Sequence, residues 1–213
     1  VGRQENNILI LESSILAGFY QNDFLEMFAQ RSIQGTGKDD TGETRLADED
    51  NTDVLVQFSP GQGRQIDSSI ADAIRSAKKR VRIASMVISS GTILGAILDA
   101  REAGVDVQGV YDGTQMESAL KSIERAGDRE GKKALFEQAT RGFAQKRSTP
   151  YSAESAHDFM HDKIAVVDNS VFTGSFNFST NATRNAENCV RVNSKSLADA
   201  YCAHIDKVIE RYS

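Results

Sequence analysis

Between residues 54 and 112 the chain alternates strand-length apolar runs with helix-length amphipathic stretches, and few architectures accommodate that order. VLVQFS (54–59) leads through a Pro-Gly turn into a helical stretch over 66–79. VRIASMVI (81–88) leads into a second helical stretch over 92–103, then a Gly104 stop and VDVQGVYD (105–112). Strands alternating with helices predict a layered fold in which crossover helices cover the sheet. The expected class is α/β: a mixed, mainly parallel β-sheet flanked by helices on both faces. Further on, IAVVD and SVFTGS read as two strands joined by Asn169 and Ser170 in a hairpin-like connection. The chain closes with the strand CVRV and a helix from Lys195 to about Arg211. Residues 115–149 are rich in Lys, Glu and Gly, helical but poorly periodic, and read as a variable insertion.

The N-terminal part repeats the vocabulary of the C-terminal part. NILIL (7–11) has the length of a strand, and SSILAGFYQNDFLEMFAQ places Ile15, Phe19, Phe24 and Phe28 near helical spacing behind a Ser cap. Residues 34–53, GTGKDDTGETRLADEDNTD after Gln34, are polar and acidic, the composition of a linker. ENNILILESSILAGFY (5–20) and ENCVRVNSKSLADAY (187–201) share Glu-Asn, a strand, a Ser, then Leu-Ala and Tyr. That similarity predicts an internal repeat.

Charge and composition narrow the function classes. With 25 basic and 30 acidic residues the net charge is −5, so no global positive field attracts a nucleic-acid backbone, which leans against a nuclease. KSIERAGDREGKK and RGFAQKR still concentrate Lys and Arg and could form a local basic rim, although such clusters are more often solvated helix faces. No apolar run approaches the ~18 residues of a membrane span, and VGRQENN has no signal-peptide layout. The chain reads as soluble as supplied, with its compartment open between periplasmic or secreted, cytoplasmic and peripheral to a membrane. Cys189 and Cys202 form no CxxC and have no metal-ligand spacing, so they read as buried free thiols.

Chemistry concentrates after position 160, in HDKIAVVDNSVFTGSFNFSTNATRNAEN. His161 and Lys163 are two apart at the start of a strand and so share a face; Ser175 and Asn177, across the hairpin, are again two apart. An imidazole, an ammonium, a hydroxyl and an amide then converge. Neutral imidazole is a competent nucleophile toward phosphorus, while Lys and Asn can donate to phosphoryl oxygens in the transition state. Such a set requires no metal and no cofactor. A carboxylate on the second ring nitrogen would fix the tautomer, and Glu187, at the head of the next strand, is the candidate.

These residues resemble the phospholipase D superfamily, whose hallmark is HxK(x)4D, then GSxxN, then a Glu-Asn pair. His161, Lys163, Asp168, Gly174, Ser175, Asn177, Glu187 and Asn188 match it in order. The spacing departs at one place: five residues, NSVFT, separate Asp168 from Gly174 where the family has six or more, which implies a tighter hairpin. The resemblance implies an α-β-α sandwich, a phosphohistidine on His161, and phosphate contacts from Lys163, Ser175 and Asn177. It also implies a second histidine from another half-site to protonate the leaving oxygen and activate water.

On this resemblance residues 54–213 form one catalytic repeat, 29–53 a linker, and 1–28 the strand-helix tail of a preceding repeat, with Glu5 and Asn6 standing where Glu187 and Asn188 stand in the second. The second half-site would come from an upstream segment, a separate fragment or a homodimer partner, as in the family's small nucleases. The expected activity is hydrolysis or transfer of phospholipid headgroups, the net acidity favouring lipid. The alternatives are cleavage of DNA or RNA by the same chemistry, or an inactive binding or scaffold module. Asp168 reads as architectural, His157 as a rim residue, His204 as structural, and Phe176 and Phe178 as core.

Overall fold

The computed structural model describes residues 3–38, 42–46, 52–128, 131–155 and 157–213. Its centre is an eight-stranded sheet of β1 (Gly42–Arg45), β2 (Asp53–Ser59), β3 (Arg80–Ser85), β4 (Asp106–Asp112), β5 (Ala144–Lys146), β6 (Lys163–Val167), β7 (Ser170–Gly174) and β8 (Glu187–Asn193). Their order across the sheet is β1-β2-β8-β7-β6-β3-β4-β5. The α/β sandwich is as expected, but the balance of directions is not. Only β3–β4 and β4–β5 are parallel; from β1 through β8, β7 and β6 to β3 every neighbour is antiparallel. The reason is local: the crossover helices serve β3, β4 and β5, whereas the 168–169 turn folds β6 and β7 into a hairpin, and β8 enters between β7 and β2.

Six helices cover the sheet: α1 (Ser14–Gln30), α2 (Gly63–Ser76), α3 (Gly91–Glu102), α4 (Gly113–Arg125), α5 (Lys132–Ala139) and α6 (Lys195–Tyr212). On one face Ile66, Ile70 and Ile74 of α2 and Ile93 and Ile97 of α3 pack on Val81, Ile83, Ala165 and Val167. On the other face Ala198, Tyr201, Ile205 and Val208 of α6 pack on Ala84, Ile164, Val166 and Val171. Alternate residues of β6 thus serve opposite cores, which explains why KIAVV is buried without a break. A third cluster joins Leu16 of α1 to Val54, Val56, Phe58, Val190 and Val192. No helix among the described residues is long and apolar enough to cross a membrane.

Three further sequence expectations require correction. NILIL is extended but joins no ladder among the described residues, where the pairing nearest it is an isolated parallel bridge from Glu5 to Met160. A strand needs a neighbour with an open edge, and here its Leu9 and Leu11 turn onto the third cluster while Ile8 and Ile10 remain 87% and 82% exposed. The expected linker contains β1, a polar edge strand pinned by Arg45–Asp53 and Arg191–Glu43 ion pairs, although its residues 39–41 and 47–51 lie outside the described residues. Residues 115–149 are not merely an insertion either, because Phe136 and Phe143 enter the main core and β5 extends the sheet.

Candidate active site

The C-terminal ends of β2, β3 and β7 and the N-terminal ends of β6 and β8 meet at one sheet edge, through the registers Ser59–Glu187, Ser85–Lys163 and Gly174–Cys189. His161 precedes β6 by two residues and Lys163 opens it. Both border a cleft of about 640 Å3, along with Asn6, Thr173, Ser175 and Asn188. Two of its walls are apolar, with Leu9, Leu11 and Leu16 on one and Val56 and Val190 on another.

His161 is held by the N-terminal segment. Its backbone N–H donates to the Glu5 carbonyl at 2.9 Å, and its Nδ1 lies 3.2 Å from Asn6 Oδ1. The Asn6 amide is oriented in turn, since its Nδ2 donates to Gln4 Oε1 at 2.9 Å. With the Asn6 oxygen facing the ring, the bond is made by the Nδ1-protonated tautomer, in which the lone pair lies on Nε2. Burial, then the neighbouring Lys163 charge, lowers the imidazole pKa below its ordinary value against a smaller opposing effect of Asp162, so the ring is neutral at pH 7.

Lys163 is 6% exposed, and its Nζ donates to the His161 carbonyl at 2.8 Å. Burial brings its pKa down to about 8, while the Glu187 and Asp162 carboxylates oppose the shift. Ser175 Oγ accepts from the Asn188 backbone N–H at 3.0 Å, and the Ser175 N–H donates to the Asn188 carbonyl at 3.1 Å. Gly174 permits that closeness: its φ is 141°, and a Cβ there would stand 2.4 Å from the Asn188 carbonyl oxygen. Tyr20 of α1 reaches over to donate to Asn188 Oδ1 at 3.2 Å. Asn177 is half-buried, and its Oδ1 has no hydrogen-bond partner among the described residues.

The remaining expected site residues stand elsewhere. Glu187 accepts from the Asn185 amide at 3.3 Å and acts on Lys163 through its charge; the Nδ1 position expected for it is held by Asn6. The Glu5 carboxylate turns toward the end of α6, taking bonds from Tyr212 Oη and Arg211 Nη1 at 2.7 Å each. Asp168 accepts the N–H groups of Lys78, Lys79 and Arg80 at 2.9, 2.9 and 3.1 Å, far from the cleft. His157 lies in an exposed stack with Tyr151, and His204 pairs with the fully buried Asp162 at 3.5 Å. Phe176 and Phe178 are core residues, each 2% exposed.

Sequence reasoning placed Asn6 only as the echo of Asn188. The repeated Glu-Asn pair was the available signal, but which of its two side chains turns toward His161 depends on how the segment lies across β6. Among the described residues no group of three His, Cys, Asp or Glu side chains converges as a metal site.

Comparison with known proteins agrees with this geometry. Residues 70–209 match the family described as "Cardiolipin synthase, PLD-like domain". A protein named phospholipase D from Rickettsia bellii is 26% identical over 150 residues, spanning 70% of this chain and 65% of that one, so the match covers less than two thirds of the relative. NucT from Helicobacter pylori superposes with a TM-score of 0.58 at 19% identity, over 76% of this chain and 97% of its own. Nuc from Salmonella typhimurium, a phospholipase D family member, superposes with a TM-score of 0.54 at 27% identity, over 76% of this chain and 95% of its own. With His161, Lys163, Ser175 and Asn188 bordering one cleft and more than half its length matched, the chain belongs to the phospholipase D superfamily, in the family of PLD-like domains described for cardiolipin synthase.

Proposed function

We propose that the chain carries one half-site of a phosphodiesterase that works through a phosphohistidine on His161 without a metal ion, and that its substrate is a nucleic-acid backbone. The observation carrying the chemistry is the state of His161. Its ring is neutral, with the Nδ1 proton directed at Asn6 and Nε2 unengaged among the described residues, next to the buried ammonium of Lys163.

In this mechanism Nε2 attacks phosphorus and the bond to the leaving oxygen breaks, that oxygen taking a proton from a second histidine on the opposing half-site. The second histidine then removes a proton from water, whose oxygen attacks phosphorus; the P–N bond breaks and its electron pair returns to His161. Lys163, Ser175 and Asn177 are assigned to the nonbridging oxygens. Glu187 keeps Lys163 protonated, Gly174 and Asn188 hold Ser175, and Asp168 is structural. Glu5 and Asn6 are assigned, with the extended segment and α1 that follow them, to the tail of a repeat preceding the one at 54–213. The opposing half-site comes from an upstream segment, a separate fragment or a second copy. The exposure of Ile8, Ile10, Phe24 and Phe28 beside the cleft supports such a covering partner.

The likeness to Nuc, a phospholipase D family member 27% identical to this chain and matched over 95% of its own length, supports the nucleic-acid substrate through that protein's name. Hydrolysis or transfer of phospholipid headgroups is the second reading. It is favoured by the apolar cleft wall of Leu9, Leu11 and Leu16 and by the name of the Rickettsia relative. Turnover of a labelled oligonucleotide and of phosphatidylcholine vesicles, each with EDTA, tests the choice. The expected outcome is oligonucleotide cleavage that EDTA leaves unchanged and that His161→Ala lowers by about a thousandfold or more at an unaltered melting temperature. Vesicle turnover alone would establish the lipid reading, turnover of neither the scaffold reading, and full activity in His161→Ala would refute the nucleophile.

A further inference from the structure

A second cavity opens on the helix-covered side of the same sheet edge. It is a polar basin of about 890 Å3 between the starts of α2 and α3 and the loop that follows the GSxxN element. Three cations border it: Arg64 from α2, Lys132 from α5 and Arg184 from the single 3-10 turn Ala182–Arg184. Arg64 and Arg184 are exposed and engage no partner among the described residues, while Lys132 Nζ donates to Thr180 Oγ1 at 3.4 Å. In a chain of net charge −5, three cations around one cavity are a local departure.

The fourth charged group of the lining is Asp67, 9% exposed, with an Oδ1 that has no hydrogen-bond partner among the described residues. Burial pushes its carboxyl above the ordinary range against the opposing effects of Ser90, Thr92 and Lys132. Against this one carboxyl the lining sets three cations, so the basin keeps a net positive charge.

One chain segment runs between the catalytic cleft and the basin. The segment from Ser175 to Glu187 carries Ser175 into the cleft, then Thr180 and Arg184 to the basin, then returns to Glu187 beside Lys163. Arg184 and Glu187 are three residues apart, so their Cα atoms are separated by at most about 11 Å. A polymer that follows this segment with one phosphate at His161 carries further phosphates toward the basin. A substrate with a single phosphodiester does not fill both.

We propose that this basin is a second anion subsite, in which Arg64, Lys132 and Arg184 take a phosphate that flanks the scissile one along a nucleic-acid strand. The proposal rests on the nucleic-acid reading given above and adds to it a preference for substrates with more than one phosphate. Arginine forks suit phosphate oxygens, and each such contact releases counterions. One of the three, Lys132, comes from the KSIERAGDREGKK cluster, which the sequence left open between a local basic rim and a solvated helix face.

The test compares binding of a twelve-residue oligothymidylate with binding of the dinucleotide thymidylyl-thymidine, which has one phosphodiester. Fluorescence anisotropy reads the first and the NMR shift of the His161 ring reads the second, in the parent chain and in an Arg64→Ala/Arg184→Ala variant. Both arginines are exposed, so the variant is expected to fold, and its melting temperature checks this. The expected result is a Kd for the oligonucleotide raised about tenfold, with a salt slope shallower by about 1 to 1.5, and an unchanged Kd for the dinucleotide. An unchanged oligonucleotide Kd overturns the basin and leaves the nucleic-acid reading standing. Equal weakening of both ligands also overturns it, since the arginines would then act on the reacting phosphate. If the parent binds neither ligand, the nucleic-acid reading and the basin fall together.

Discussion

At the residue scale, Lys163 sets function against stability. Its ammonium is buried, and its folded pKa of about 8 lies below the ordinary 10.5. Between those two values the unfolded chain binds the more protons, so stability rises with pH across the window and the penalty is fully present below about 8. At pH 7 the penalty is on the order of 3 kcal/mol. Lys163→Met is accordingly expected to raise the stability read from urea unfolding at pH 7 while abolishing turnover. A destabilised variant would show that packing, not charge burial, dominates there. On the proposed mechanism the high-pH limb of kcat/KM has its midpoint near the Lys163 value of about 8. Glu187→Gln removes a charge that holds this proton on, so the limb should move to lower pH; a limb that stays in place would separate Glu187 from Lys163 function.

At the element scale, the β6–β7 hairpin is positioned by a clamp at the end opposite the cleft. Asp168, at a φ of 52°, takes three consecutive backbone N–H groups where β3 begins, and Arg80 donates back to its carbonyl. These bonds bring the carboxyl pKa below its usual range despite the opposing effect of burial, so the contribution is present above the unfolded pKa and fades as pH falls through the folded value. Asp168→Ala leaves three N–H groups without this acceptor and is expected to cost about 3 kcal/mol. The folded fraction should retain its kcat, because the clamp touches no substrate group; a lost kcat at full folding would give Asp168 a role in the chemistry. The HxK(x)4D spacing thus has a mechanical side: four residues of β6 connect the catalytic pair to its anchor.

At the scale of the whole molecule, the N-terminal segment and α1 cover one cleft wall yet leave Ile8, Ile10, Phe24 and Phe28 in solvent. A strand with apolar residues on both sides and no ladder is an incomplete surface. In sedimentation velocity the chain is expected to self-associate at micromolar concentration, and an Ile10→Asp/Phe28→Asp variant to sediment as a monomer with its fold intact. A monomeric parent would leave the covering partner to be a different polypeptide.

How much of this was legible beforehand follows from range. The alternation of 54–112, the hairpin, the Ser cap of α1 and the motif order are short-range patterns, and local backbone and burial preferences are enough to write them into the sequence. The sheet's strand order, the placement of Asn6 at His161, the action of the Glu187 charge on Lys163, and the gathering of Arg64, Lys132 and Arg184 around one basin were not legible. Each depends on contacts between segments distant along the chain. Which side chain reaches a given atom is settled by how strands pair and helices pack, and a polar residue reads the same in sequence whether it faces water, a catalytic ring or another charge.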